Sequence, residues 1–291
     1  MCIQDYTEAH EGRGTRMAAD ADLETIALGK TTGFGSGCAA QGTIFQGVLT
    51  MRSISTIQVG GFAVLKTTSA ELATHLLAQR QLGKQVALFF ANTNFVVQCR
   101  DMRSQMENEG VAIVNDGVGM DIAARLLHAD RFKENLNGTD FMPFLFRQSS
   151  TPLRVFMVGG KPRVLQKAAK YVTQLLGQVV VGTCDGYEGI KANPHLVETI
   201  NQAQADVVLV ALGNPVQEKW ILDHRQGLNA GILTGVGALF DFWAGNKPRA
   251  PVFVQKMRLE WFYRLCLEPR RLARRYTVDI VKFLKHCYHY R

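Results

Sequence analysis

Short apolar runs alternate along most of the chain with longer segments whose apolar positions recur at helical spacing. The runs that predict strands are Ile57–Phe62, Val86–Phe90, Val111–Val114, Arg154–Val158, Val179–Gly182, Val207–Ala211 and Gly231–Leu233. The intervening segments predict helices over Ser69–Gln81, Phe95–Asn108, up to His128, after Thr139, over Arg163–Leu176, and after Pro194, Pro215 and Gly237. This alternation predicts an α/β fold: a Rossmann-like, largely parallel sheet with flanking helices, and ligands bound where the strands end.

After Asn246 the pattern becomes purely helical, over Val252–Leu267 and Leu272–Tyr288, with Pro269 at the break. In the last helix one apolar stripe is formed by Leu272, Tyr276, Ile280, Phe283, Leu284 and Cys287. A basic amphipathic helix of this kind either docks on the domain or lies on an anionic membrane. The two alternatives are compatible if the docked helix keeps an exposed side that can contact a membrane.

Charge singles out the same C-terminal segment. The whole chain carries a formal charge of +8, whereas residues 247–291 alone contain twelve basic and three acidic residues. We therefore divide the chain into a core over residues 51–246 and a basic helical appendage over 247–291, which needs a polyanionic partner. Residues 1–50 lack periodicity and are predicted to be a mobile leader, either vector-derived sequence or a functional extension, with Met51 as a candidate start.

Composition excludes several classes of protein. With 47% hydrophobic and 20% charged residues the chain is globular, and no apolar run approaches the ~20 residues that cross a bilayer. The six cysteines include no CxxC pair, and the N-terminus lacks the pattern of a secretory signal. We therefore expect a cytoplasmic protein with reduced thiols.

Polar residues follow several of the predicted strands. Asp116, between Asn115 and two glycines, is either a helix N-cap, the commoner use, or a general base. Asn92, Thr93 and Asn94 suit sugar hydroxyls or an ordinary turn. The turn with Asn137, Thr139 and Asp140 is a cap or a ligand clamp, and the apolar residues after it are either core or a lipid groove.

Glycine turns follow other strands. They contain Gly159, Gly213 and the pair Gly235 and Gly237, and each precedes a helix start. Glycines at such points allow backbone amides to approach a phosphate, and Gln217 and Glu218 could meet a base or ribose. Their repetition along one sheet edge favours a nucleotide-type ligand. The histidines are dispersed and no metal cluster is visible, so we expect no metal or other cofactor.

Several segments together resemble the WecG/TagA/CpsF family, glycosyltransferase family 26. They are NDGVGMDIAARLL (Asn115–Leu127), NGTDFMP (Asn137–Pro143), GTCDGYEG (Gly182–Gly189), ADVVLVALGNPVQEKW (Ala205–Trp220), GVGALFDFWAG (Gly235–Gly245) and, within Arg249–Tyr276, RAP, LEWFYRL and EPRRLARRY. In order and spacing the resemblance covers nearly everything from Ile57 onward.

The resemblance implies a metal-independent, inverting enzyme of the arrangement called GT-E. Such enzymes transfer a sugar from a UDP-sugar to a polyprenyl-diphosphate-linked saccharide, and we expect this one to be peripheral on the cytoplasmic face of the inner membrane. By motif, Asp116 is the general base, and Arg264, Arg271 and Arg274 engage the diphosphate. Gln217, Glu218, Gly235 and Gly237 would surround the nucleotide. The family's Thr-x-Asn position falls near Asn92–Asn94, where the usual Thr-x-Asn-x-Glu form is absent.

The donor sugar and rival functions stay open at this stage. NGTDF is similar to members of exopolysaccharide clusters that add a β-1,4-linked glucose, which favours UDP-glucose; N-acetylmannosamine or its uronic acid is the alternative. Two alternatives come from other classes of protein. A nucleotide-dependent oxidoreductase is disfavoured because the sequence lacks the GxGxxG motif of that class. A non-catalytic module that binds a membrane surface or nucleic acid would leave Asp116 without a role. We expect no nucleic-acid partner, and the apolar tail helices favour self-association.

Overall fold

The computed structural model describes residues 54–251, 253–254, 260–267, 269 and 277–290, without the side chains of residues 260, 261, 264 and 279. The predicted leader 1–50 lies outside these residues, as does much of the basic appendage. In the part that is described, no helix has both the length and the apolar character that a bilayer-crossing segment requires.

The described strands form one sheet. They are β1 (Thr56–Val59), β2 (Phe62–Leu65), β3 (Val86–Ala91), β4 (Val111–Asn115), β5 (Arg154–Gly159), β6 (Val179–Cys184), β7 (Val207–Ala211) and β8 (Ile232–Gly235). Their order across the sheet is β1-β2-β4-β3-β8-β7-β5-β6. Only β1 and β2 pair antiparallel, and all other neighbouring strands are parallel. The predicted largely parallel α/β sheet is confirmed.

Helices cover both faces of the sheet. They are α1 (Ser69–Gln81), α2 (Thr93–Gln98), α3 (Arg103–Met106), α4 (Val118–His128), α5 (Gly138–Gln148), α6 (Pro162–Gln174), α7 (Glu188–Ala192), α8 (Leu196–Gln202), α9 (Val216–His224), α10 (Leu239–Trp243), α11 (Glu260–Leu267) and α12 (Val278–His289). One apolar cluster holds side chains of α2, α4, α8, α9 and α12, and the other holds those of α1, α5, α6 and α10.

The central strands are buried on both faces, which explains their continuous apolar sequences. Every residue of β3 (VALFFA) and of β7 (VVLVA) is buried. Within β3, Ala87 and Phe89 face one cluster, whereas Leu88 and Phe90 face the other. A parallel strand between two helical layers needs apolar side chains in both directions, so no polar alternation appears in the sequence.

The prediction of the first strand was wrong in its extent. Ile57–Phe62 is not one strand, because Gly60 and Gly61 adopt φ values of 59° and 82° and turn the chain into a hairpin of β1 and β2. Positive φ at both central residues is the geometry of a type I′ turn, one of the two turns that favour a two-residue hairpin. Gly60 also approaches α2 closely, since a Cβ there would lie 2.3 Å from Cγ1 of Val96.

The helix predicted over Phe95–Asn108 is also interrupted. Asn92 starts α2 earlier than predicted, because its Oδ1 accepts hydrogen bonds from the backbone N–H groups of Asn94 and Phe95. At Cys99 the backbone takes φ −95° and ψ 8°, outside the α-helical range, and a 3₁₀ turn follows before α3.

The last helix docks on the domain, which is one of the two alternatives that the amphipathic pattern left open, and it keeps an exposed side. Phe283 and Cys287 of α12 are fully buried, and the helix packs against α2 and α4. The opposite side exposes an apolar and basic surface, formed by Val281, Lys282, Lys285 and Tyr288. Leu272 and Tyr276 of the predicted stripe lie outside the described residues.

Candidate active site

A cavity of about 1200 Å³ opens at the carboxyl ends of the parallel strands β3 to β8. Its lining brings together most of the residues predicted from the sequence: Asn92, Thr93, Asp116, Asn137, Thr139, Asp140, Gly213, Gln217, Gly235 and Gly237. These residues come from five separate turns, four of which directly follow parallel strands, whose shared direction gathers them at one edge.

Some predicted residues lie elsewhere. Asn94, Gly159 and Glu218 are not part of the lining, although the neighbouring Gly160 and Gln217 are. Arg264 belongs to α11, but its side chain is outside the described residues, as are Arg271 and Arg274 in full. The predicted roles of these three arginines therefore stay predictions.

Asp116 directly follows β4 and is partly exposed to the cavity. Its backbone N–H donates to the carbonyl oxygen of Ala91 at 2.7 Å, which holds the turn against the end of β3. Nδ2 of Asn92 donates to Oδ2 of Asp116 at 3.3 Å. The N-cap residue of α4 is Gly117, without a side-chain cap. The cap interpretation of Asp116 is therefore not the one that the structure adopts.

A second polar turn lies beside Asp116, since the backbone N–H of Leu136 donates to the carbonyl oxygen of Asn115 at 3.0 Å. Asn137 is the N-cap of α5, and its Oδ1 accepts from the backbone N–H of Asp140 at 3.0 Å. Asp140 also forms an ion pair with Arg249. The turn thus combines the two predicted alternatives, since it caps a helix and lines the cavity. The apolar side chains after it are core: Phe141, Met142, Leu145 and Phe146 are buried.

Gln217 joins two of the glycine turns. Its Oε1 accepts from the backbone N–H of Gly213 at 3.2 Å and of Gly237 at 3.0 Å. Gly235 leaves room for this side chain, because a Cβ there would lie 2.7 Å from Nε2 of Gln217. With only 3% of its surface exposed, Gln217 fixes the turns after β7 and β8 relative to each other.

Glu218 faces the interior of the protein. Its Oε1 accepts from Nδ2 of Asn214 at 2.6 Å and from Nε2 of Gln217 at 2.7 Å, and the side chain is 1% exposed. Burial raises the pKa of Glu218, and the hydrogen bonds from Gln217 and Asn214 only partly oppose this shift. Glu218 therefore stabilises the Asn214–Gln217 turn from its buried side, through these two hydrogen bonds.

Sequence reasoning missed other residues of the site. Oδ1 of Asn135 accepts from the backbone N–H of Gly117 at 2.6 Å, and Lys161 and Tyr187 line the cavity. Asp185 holds the turn of Tyr187 by accepting its backbone N–H at 3.0 Å. Lys161 directly follows the Gly159-Gly160 pair and Tyr187 lies in the GTCDGYEG segment, so both had a signal, whereas Asn135 lies in a segment without periodicity.

The charged side chains in the described lining are mostly acidic. Five are carboxylates, namely Asp116, Asp121, Glu134, Asp140 and Asp241, and one is basic, Lys161. No group of three or more potential metal-ligating side chains occurs among the residues that the structure describes. An anionic ligand in this cavity would therefore need cationic groups in addition to Lys161.

The fold and the site define an α/β protein with its ligand cavity at the carboxyl edge of a parallel sheet. Residues 57–291 match the model of the Glycosyl transferase WecG/TagA/CpsF family. The chain belongs to this family and is a glycosyltransferase, as its sequence motifs predicted.

A curated relative agrees with this assignment. The chain is 32% identical over 177 residues to the N-acetylglucosaminyldiphosphoundecaprenol N-acetyl-beta-D-mannosaminyltransferase of Bacillus subtilis (strain 168). The alignment covers 58% of this chain and 68% of that enzyme.

Proposed function

We propose that this glycosyltransferase moves a hexose from a UDP-sugar to a saccharide linked to polyprenyl diphosphate. The observation that carries the proposal is the position of Asp116, whose carboxylate lies in the cavity among amide side chains and glycine turns. The relative from Bacillus subtilis supports the acceptor class, because its name describes a sugar linked through a diphosphate to a polyprenol.

In the proposed reaction Asp116 is the general base. Its carboxylate takes the proton of the acceptor hydroxyl while that oxygen attacks the anomeric carbon of the donor. The new glycosidic C–O bond forms as the bond between the anomeric carbon and the phosphate oxygen breaks. UDP leaves with the electron pair from the opposite face, so the configuration inverts.

The negative charge that develops on UDP needs a counter-charge. Because the described lining is mostly acidic, we assign this role to Arg264, Arg271 and Arg274 of the appendage, whose guanidinium groups can bind phosphates in a bidentate manner. On this proposal the reaction needs no divalent metal ion, and activity should persist in EDTA.

Two donors are candidates. UDP-glucose is the first, because the NGTDF sequence of Asn137–Phe141 is similar to that of exopolysaccharide enzymes that add glucose. UDP-N-acetylmannosamine is the second, and the name of the Bacillus subtilis relative favours it. The acceptor sugar differs with the donor: a lipid-linked glucose in the first case and a lipid-linked N-acetylglucosamine in the second.

The place of action follows from the substrates. A polyprenyl-diphosphate acceptor is embedded in a membrane, and the exposed Lys282 and Lys285 of α12 can approach anionic headgroups. We therefore propose peripheral association with the cytoplasmic face of the inner membrane. Self-association of the chain stays a prediction.

The experiment that tests the function is UDP release by the purified full chain in EDTA. Each UDP-sugar is supplied singly, with polyprenyl-diphosphate glucose or polyprenyl-diphosphate N-acetylglucosamine as acceptor. Acceptor-dependent release with one donor supports the function and identifies the sugar. Tight UDP binding without release under any combination argues for a different acceptor, and absence of UDP binding favours the non-catalytic module.

A further inference from the structure

One helix beside the active site exposes apolar side chains that the proposed chemistry does not use. Val118, Ile122 and Leu126 of α4 are 37%, 38% and 66% exposed. Their spacing of four residues places them in one row on the same face of the helix. We call them the α4 row. The first two residues of this row also line the active-site cavity.

Basic side chains accompany the α4 row. Arg125 is three residues after Ile122 and therefore its neighbour on the helix surface. Arg125 and Arg131 are exposed and line a second cavity of about 650 Å³, which shares Asp121 with the active-site cavity. Two other cations of that cavity are already paired, Lys66 with Asp130 and Lys133 with Glu71. No ion pair of Arg125 or Arg131 occurs within the described part of the chain.

The geometry points to a docking site for the polyprenyl diphosphate of the acceptor, with its diphosphate at Arg125 and Arg131, its sugar over Val118 and Ile122, and its first prenyl unit at Leu126. This inference rests on the proposed function. Residue 118 lies two positions after Asp116, and residue 125 lies about 10 Å further along the helix axis. The acceptor sugar and the length of the Arg125 side chain together bridge that distance, so a sugar hydroxyl can reach Asp116 while the diphosphate stays between the arginines.

The position of the last helix fits the same occupant. α12 packs against α4, and its Ile280 lines the active-site cavity. The outer side of α12 exposes Val281, Lys282, Lys285 and Tyr288. Apolar and basic side chains together suit the interface of an anionic membrane. A prenyl chain that passes Leu126 would then continue into the bilayer that the outer side of α12 contacts.

Vesicle binding by the full chain tests the inference without any donor sugar. The probes are phosphatidylcholine vesicles alone, the same vesicles with polyprenyl diphosphate, and vesicles given equal negative charge by phosphatidylglycerol. We expect polyprenyl diphosphate to increase binding more than phosphatidylglycerol does. Leu126→Ser should reduce this increment about tenfold, as the loss of part of a leucine contact implies, and Arg125→Gln should reduce it as well.

Matched controls are available on α6 and just beyond it. Leu175 is 71% exposed and Arg163 is exposed on α6, and neither lines a cavity described above. Leu175→Ser and Arg163→Gln should retain the full increment. Equal losses in test and control variants, no loss in Leu126→Ser and Arg125→Gln, or equal binding to phosphatidylglycerol vesicles would overturn the inference. Because no donor is present, failure of the proposed transfer reaction would appear separately, as absent UDP release.

Discussion

Nδ2 of Asn92 donates a hydrogen bond to Oδ2 of Asp116, over 3.3 Å, between the ends of two adjacent parallel strands. The bond orients a carboxylate at the edge of the cavity and occupies one lone pair of one oxygen. A general base needs such orientation, because proton transfer depends on the position of the accepting oxygen.

Asp116→Asn should abolish sugar transfer while the fold remains intact. Asparagine has nearly the same shape but cannot accept the proton, and a positioned base contributes about 100- to 10,000-fold to a rate. The check is UDP release at saturating donor, with the melting temperature as the measure of folding. Asp101→Asn is the matched control, because the side chain of Asp101 is 87% exposed. If Asp116→Asn retained full turnover, Asp116 would not be the base.

Two substitutions of Asn92 separate its two roles. Asn92→Ala removes the N-cap of α2 and should lower the free energy of unfolding by about 1 kcal/mol. Asn92→Ser restores a capping oxygen and should be closer to the wild type in stability. Both remove the amide that donates to Asp116, so both should lower turnover to a similar extent.

Urea denaturation and UDP release on the same Asn92 variants provide the comparison. Turnover that follows stability, with Asn92→Ser restored in both, would show that Asn92 acts only through the helix. Turnover that falls equally in both variants would assign a separate role to the amide.

Gln217→Ala should loosen the cavity wall that carries the glycine turns. The substitution leaves the N–H groups of Gly213 and Gly237 without their acceptor, and a buried unsatisfied group costs about 1–3 kcal/mol. We expect UDP binding to weaken about tenfold or more, measured by calorimetry, together with a lower melting temperature. Gln202→Ala, at an exposed position of α8, is the control and should change neither quantity.

Glu218 gives a prediction of pH dependence. Burial raises its pKa above the usual 4.5, so the folded protein holds this proton more tightly than the unfolded chain does. The associated stability is fully present below pH 4.5 and is lost as the pH rises through the raised pKa. Glu218→Gln does not titrate and should therefore gain stability over the wild type as the pH rises.

Urea unfolding of both proteins at a series of pH values from 4.5 upward provides the measurement. The advantage of Glu218→Gln should grow with pH and then level off. Glu107→Gln, at an exposed position, should show no such trend. A pH-independent difference for Glu218→Gln would mean that its pKa is not raised.

Much of the fold could be predicted from the sequence because parallel strands between helical layers leave a strong signal. The buried runs of β3 and β7 are continuous and apolar, and the strand ends carry glycines or polar residues. The hairpin of β1 and β2 was missed because only two residues, Gly60 and Gly61, separate its strands, so that the sequence reads as a single apolar run. A two-residue turn leaves the period of the flanking residues almost unchanged.

The candidate site was predictable as an edge of the sheet but not as a set of side-chain directions. Gln217 and Glu218 are adjacent in sequence, yet Gln217 faces the cavity and Glu218 the interior. Consecutive helical residues point about 100° apart, and only the packing of α9 decides which of them turns inward. Asn135 and Tyr187 lie in loops, where no periodicity indicates direction.

Membrane association should depend on the exposed basic side of α12. Deletion of the appendage would be a poor test, because Phe283 and Cys287 of α12 are part of the core, and their loss would destabilise the whole domain. The double variant Lys282→Ser, Lys285→Ser leaves these contacts in place. Since each basic residue near an anionic surface contributes about 1 kcal/mol, binding to phosphatidylglycerol vesicles should weaken roughly thirtyfold.

Lys167 and Lys170 of α6 provide the matched control, because both are exposed. The double variant Lys167→Ser, Lys170→Ser removes the same net charge from a different helix and should reduce vesicle binding far less. Equal losses would mean that only the overall positive charge attracts the protein to the membrane. A loss confined to the α12 variant would show that this helix faces the bilayer, which places the active-site cavity next to it.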